Sequence, residues 1–237
     1  MIVITAAEIQ TKLKRLGNRD VAAVSQRFFK TGPGEYGEGD LFRGIRVPAL
    51  KTIAREYQKL SLAETFRLLH STYHEDRLVA LLILVRSFAK GDDTTKAKIY
   101  RLYLKHTRFI NSWDLVDSSA PQIVGGFLWD KNRKLLYSLA RSQSLWERRI
   151  AVLATFHFIK HGEFAETLKI ARMLLTDRHD LIHKAVGWML REVGKRDQTV
   201  AENFLRNRCR RMPRTMLRYA IERFPESKRR QYLSGKF

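Results

Sequence analysis

Apolar residues recur along this chain three or four apart, and runs that alternate apolar with polar are few. That spacing predicts helices. Four strongly apolar segments stand out: RLVALLILVRSFAK from Arg77, SWDLVDSSAPQIVGGFLW from Ser112, LWERRIAVLATFHFIKHG from Leu145 and DLIHKAVGWMLREVGKRD from Asp180. A fifth, PRTMLRYAIERF from Pro213, repeats the pattern more weakly, and the five starts lie 35, 33, 35 and 33 residues apart. Shorter amphipathic stretches alternate with them at Leu62–Ser71, Thr94–Lys105, Lys131–Arg141, Phe164–Leu175 and Thr199–Arg208. Loops such as Gly91-Asp92-Asp93, Gly162-Glu163 and Arg196-Asp197 punctuate them. A near-constant period holding two helices is the pattern of an α-solenoid, whose units bury their apolar faces only by stacking. The expectation is an all-α fold in which the more apolar second helices form the inner layer and a concave face. An irregular helical domain with accidental spacing is the alternative, and four near-equal intervals argue against it.

The beginning of the chain differs. Ala6–Leu16 and Val21–Lys30 read as helices, followed by the loop TGPGEYGEGDLFRGIRVP. One domain over 1–237 is expected, with N-terminal helices and a glycine-rich loop in 1–45 and helical repeats in 46–237. The glycines between Gly32 and Gly39 suggest a phosphate cradle only superficially. No P-loop lysine or strand accompanies them, and Glu35, Glu38 and Asp40 would repel phosphate, so a structured loop or cap is expected.

Charge changes the picture most. The chain holds 45 Lys+Arg against 24 Asp+Glu, a net charge of +21 in 237 residues, which points to a polyanionic partner. From Ala201 to Phe237 there are eleven basic residues against three acids. Basic rims over a concave solenoid face would track a nucleic-acid backbone. A membrane surface is the other polyanion, but no separate amphipathic segment with a bulky apolar face is evident. The longest apolar run, Leu78 to Val85, is far short of a membrane span, and MIVITAAEIQTKLKRL lacks the basic start and cleavage pattern of a secretion signal. A cytoplasmic protein is expected. The single cysteine, Cys209, excludes an internal disulfide and cysteine-based metal sites.

Candidate chemistry is sparse. Trp113, Trp146 and Trp188 lie in polar helical neighbourhoods. Trp113 and Asp117 are four apart and share one helix face, whereas Asp114 points elsewhere. A lone inward carboxylate in a basic groove weakens polyanion binding and is easier to explain by chemistry on a cation. The pattern equally allows Asp117 to pair with an arginine while Trp113 fills the core. His157 and His161 have the i, i+4 spacing of metal ligands but no evident third ligand, so no metal is expected. Ser118 and Ser119 lack a nucleophile-elbow context. Cys209 stands among arginines that could lower its pKa, with no paired base. No Walker or dinucleotide motif is present, and no cofactor is expected.

Three blocks in order, Ser112-Trp113-Asp114-Leu115-Val116-Asp117, then Trp146-Glu147-Arg148-Arg149-Ile150-Ala151-Val152-Leu153, then Lys184-Ala185-Val186-Gly187-Trp188-Met189-Leu190-Arg191-Glu192, resemble the AlkD family of bacterial DNA alkylation repair enzymes. YGEGDLFRGIRVP is similar to the early region of many members. The resemblance implies HEAT-like repeats cradling duplex DNA, and hydrolysis of the glycosidic bond of N3- or N7-alkylated purines such as 3-methyladenine and 7-methylguanine, without base flipping. It places the catalytic aspartate on Asp117, the cleft tryptophans on Trp113 and Trp188, and the cleft arginine on Arg149, with Arg148 one residue away as the other candidate. Lys184 and Arg191 of the third block are further expected DNA contacts. The doubled tryptophan of some members is absent, since Ser112 precedes Trp113. A monomeric enzyme near the nucleoid follows; the alternatives are a non-catalytic DNA- or RNA-binding module and a protein–protein scaffold.

Overall fold

In the computed structural model, which describes residues 4–235, the chain is all-α and forms two compact units, residues 1–123 and 124–237. Among the described residues no helix is long and apolar enough to cross a membrane.

The first unit runs α1 (Ala6–Leu16), α2 (Arg19–Phe28), α3 (Val47–Glu56), α4 (Leu62–Leu69), α5 (His74–Lys90), α6 (Asp93–Lys105) and the short α7 (Trp113–Asp117). Local chemistry sets the starts. Thr5, Asn18, Ser61 and Asp92 each accept a backbone N–H two or three positions into the helix they begin, which satisfies donors a helix start otherwise strands. Helix α5 is the hub, packing against α1, α3, α4, α6 and α7. Leu78, Val79, Ala80, Leu81, Ile83 and Leu84 are all buried, so its apolar run has no polar face to show.

Two of the differences from the sequence pattern bear on the site. Helix α5 begins three residues before Arg77, because His74, Glu75 and Asp76 form its buried first turn. The Ser112–Trp129 segment, expected as one helix, is broken. Helix α7 ends at Asp117, and a single π turn follows over Pro121–Gly125. A proline clashes with the carbonyl four residues back, and four residues before Pro121 is Asp117.

The second unit contains α8 (Lys134–Ala140), α9 (Leu145–Lys160), α10 (Ala165–Met173), α11 (Asp180–Gly194), α12 (Gln198–Arg206), α13 (Arg214–Ala220) and α14 (Glu226–Ser234). The more apolar helices pack on one another, α9 on α11 and α11 on α13, while α8 and α10 flank α9 and α12 flanks α11. This is the layering the periodicity predicts. Close approach needs glycine at two points: a Cβ on Gly125 would meet the Ala154 carbonyl at 2.2 Å, and one on Gly187 the Met216 carbonyl at 2.5 Å. Polar links span one repeat. Arg133 reaches Glu163, Arg148 reaches Asp177 and Arg191 reaches Glu222, separations of 30, 29 and 31 residues.

Candidate functional site

In the first unit α7 presents Trp113 and Asp117 on one face, both half-buried. The indole stacks on Phe29 at 5.3 Å and 14°, with Phe28 edge-on at 6.0 Å. Behind Phe29 the stack continues to Phe42 at 5.0 Å and from Phe42 to His74 at 4.6 Å. Trp113 is therefore a platform backed by a column of rings.

Asp114 points the other way and anchors the helix. Its Oδ2 accepts from His74 Nε2 at 2.8 Å, while His74 Nδ1 donates to Asp40 Oδ2 at 3.2 Å. Arg77 Nη2 donates to Asp40 Oδ1 at 2.6 Å. Burial alone would lower the His74 pKa, but its hydrogen bonds to Asp114 and Asp40 outweigh burial and push it up to about 9. Burial pulls Asp40 upward, yet His74 and Arg77 together hold its carboxyl below the usual range. Beside this chain Arg43 grips Asp76 with Nε and Nη2 at 2.6 and 2.9 Å, and Glu75 accepts the backbone N–H groups of Arg43, Gly44 and Ile45. This buried cluster pins the RGIRVP stretch to the start of α5.

Asp117 occupies the last position of α7, near the buried Tyr103. Burial pushes the Tyr103 phenol up, and the negative charge of Asp117 adds to that, while a 2.9 Å hydrogen bond with Ser119 opposes it. Ser118 and Ser119 donate back to the Leu115 carbonyl, and Ser119 also ties this turn to Tyr103 of α6.

In the second unit Trp188 is half-buried on α11, with its ring 5.9 Å from Phe156 of α9. Arg149 is buried on α9, 4% exposed, and its Nη1 donates to the Leu181 carbonyl at 2.6 Å. Its neighbour Arg148 is half-buried, with Nε on Asp177 at 2.7 Å and Nη1 on the Ser142 and Gln143 carbonyls at 3.0 and 2.9 Å. Lys184 pairs with Asp180 at 2.7 Å and Arg191 with Glu222. Trp146 is half-buried in the first turn of α9. All four cations that the sequence nominates for DNA thus have protein partners. The unit's exposed arginines lie elsewhere, some in turns, as Arg178, Arg196 and Arg223, and others within helices, as Arg172, Arg206 and Arg218.

Other sequence features resolve simply. In the glycine-rich loop, Glu35 Oε2 accepts the Gly32 N–H and Glu38 Oε2 the Gly34 N–H, each at 2.9 Å, so carboxylates already occupy donors a phosphate would need. The rings of His157 and His161 lie 4.6 Å apart, tilted at 38°, beside Trp129, and burial drives His157 down to about 4. Among the described residues no cluster of three or more His, Cys, Asp or Glu could hold a metal. Cys209 is buried, and burial raises its thiol pKa despite the flanking arginines, contrary to what its sequence neighbours suggest. The His74 clamp and the Phe28–Phe29 backing were missed from sequence. The one signal for the clamp was HED directly before the apolar run, two acids of the kind that favour a helix N-terminus.

The family model for DNA alkylation repair enzyme matches residues 9–224. A solved structure titled "Predicted DNA alkylation repair enzyme from Enterococcus faecalis" superposes with a TM-score of 0.68 at 16% identity, covering 89% of this chain and 97% of that one. At that identity the likeness speaks for the fold. No curated protein matches.

Proposed function

Since the chain belongs to the DNA alkylation repair enzyme family, we propose that it is a monofunctional glycosylase acting on duplex DNA. It hydrolyses the N-glycosidic bond of cationic N3- or N7-alkylated purines, as a monomer, without a cofactor and without drawing the base into a pocket. The observation that carries this reading is the division of labour on α7: Asp114 is locked inward by His74, while Asp117 shares the opposite face with a backed indole.

The chemistry follows from charge. An alkylated purine is already cationic and leaves readily, so little general acid is needed. As the bond to the base breaks, positive charge moves onto the deoxyribose. A fixed carboxylate at Asp117 stabilises that charge and orients the attacking water, the kind of preorganised contact that contributes most when it costs no rearrangement. The faces of Trp113 and Trp188 attract sugar and lesion cations, about 0.5–2 kcal/mol each. Arg149, fixed against the Leu181 carbonyl, adds positive charge for the phosphate beside the lesion, and Arg148, Lys184 and Arg191 strengthen the field around it. Net charge of +21 draws the duplex in.

The test is incubation with a duplex bearing one 7-methylguanine, reading free base and abasic sites. Release of 7-methylguanine, undiminished by EDTA, is the expected result. Tight duplex binding with no base release would leave a non-catalytic binding module instead.

A further inference from the structure

Helices α10 and α12 end close together, and each is followed by a turn into the next helix, α11 or α13. Between these turns lies an open cavity of about 270 Å3 lined by Arg172, Leu175, Thr176, Asn207, Arg208 and Arg211. Half of its lining is arginine and none is acidic. Arg172 and Arg211 are exposed, and among the described residues no carboxylate pairs with either. Arg208 is half-buried, set over the Phe204 ring at 4.7 Å with Nη1 on the Phe204 carbonyl at 3.1 Å, which fixes its guanidinium at the cavity wall.

The helix dipole accounts for only part of this. A cation in the last turn complements the carbonyl end, and Arg172 on α10 and Arg206 on α12 do so. Arg208 and Arg211 lie beyond the end of α12 and are additional. Three other arginines of this unit, at different positions in their helices, face acids: Arg133 with Glu163, Arg148 with Asp177, Arg191 with Glu222. Here the acid is missing from the lining. Guanidinium groups donate and never accept, and an anion of several oxygens is what three of them around one cavity fit.

We infer that this cavity seats a backbone phosphodiester of the bound duplex, a second anchoring point on the strand; the inference rests on the DNA reading above. Helix α11 starts beside the cavity, and Trp188 lies roughly 12 Å along it at about 1.5 Å per residue. Along one strand that distance spans a few nucleotides, at about 3.4 Å each.

The experiment compares Arg172→Gln/Arg211→Gln with Lys59→Gln/Lys98→Gln, two exposed lysines whose loss changes net charge equally. Duplex Kd is measured between about 50 and 200 mM salt, where each phosphate contact contributes about −0.9 to the slope of log K on log salt. The arginine pair should flatten the slope by about one contact and weaken binding about tenfold near physiological salt, with the excision rate at saturating enzyme unchanged. Equal changes in the lysine control would reduce the cavity to net charge and overturn the proposal. So would unchanged duplex binding together with inorganic phosphate affinity lost in the arginine variant, which would mark a free-anion site. Failure of the wild type to release 7-methylguanine, with the slope still flattened in the arginine variant, would remove the glycosylase reading and leave this phosphate site standing.

Discussion

The start of α5 and the turns of the second unit use charge in opposite ways. In the first, Asp40, His74, Asp76 and Arg77 are buried, with Asp40 hydrogen-bonded to His74 and Arg77 and Asp76 to Arg43, so their charge is spent on geometry. In the second, Arg172 and Arg211 stand in water with no acid beside them, so theirs remains available to a partner. A buried charge with one partner removed is costly, while an exposed pair is worth little in either direction. Clamping belongs to the first region and attraction to the second. Asp117, half-buried on the face of α7 away from the clamp, stands between these extremes.

The sharpest way to break that contrast is to exchange the two carboxylates of α7 for amides. Asp117→Asn should slow single-turnover release of 7-methylguanine by about 10²-fold or more, the scale of one preorganised contact. Its affinity for undamaged duplex should hold or rise slightly. Asp114→Asn should cost far less rate and show itself in thermal unfolding instead. Equal rates for wild type and Asp117→Asn would end the catalytic assignment.

His74→Ala comes next. It leaves Asp40 and Asp114 without their shared cation and opens a gap behind Phe42, so a loss of about 3–5 kcal/mol in denaturant unfolding is expected. A loss within 1 kcal/mol would mean that the clamp does not hold α7.

The same residue sets a pH dependence. Its folded pKa, about 9, lies above the ordinary histidine value of 6.5, so the stability it contributes is complete below about pH 6.5. That contribution falls as pH rises through 9. Unfolding free energies at successive pH values from 6 to 10 should decline by a few kcal/mol in wild type and stay flatter in His74→Gln. Smallest of all, Lys184→Gln should change stability by less than about 0.5 kcal/mol, since its pair with Asp180 is solvent-exposed.

Much of this architecture was legible before any coordinates. The starts of α9 and α11 fall at Leu145 and Asp180 as the apolar period places them, and α1 spans Ala6–Leu16 as expected. The period failed where polar residues are buried or where one residue interrupts an apolar run. His74, Glu75 and Asp76 look like solvent-facing residues, and only partners 30 to 40 positions away make them core. Pro121 sits inside an apolar stretch whose pattern continues unbroken past it, so the stretch reads as one helix although the backbone cannot form one. The protein partners of the cations were hidden for a related reason. The acids that engage Arg148 and Arg191 come a full repeat later, so local sequence does not show them. On the candidate site, the shared face of Trp113 and Asp117 followed from spacing alone, whereas the rings behind Trp113 come from α2 and the loop after it.

Links that span one repeat also decide where the chain can change length. Inserting a residue in a turn such as Gly162-Glu163 leaves the phase of both neighbouring helices intact, because the turn absorbs it. Inserting one in the middle of α9 rotates every later residue of that helix by about 100° relative to the earlier ones. Arg149 would keep its hold on Leu181 while the Ala154 carbonyl turned away from Gly125, or the reverse. Tolerance to insertion should therefore rise and fall along the sequence with the period of the repeat itself, and a scan of single-residue insertions would trace that rhythm without reference to any reaction.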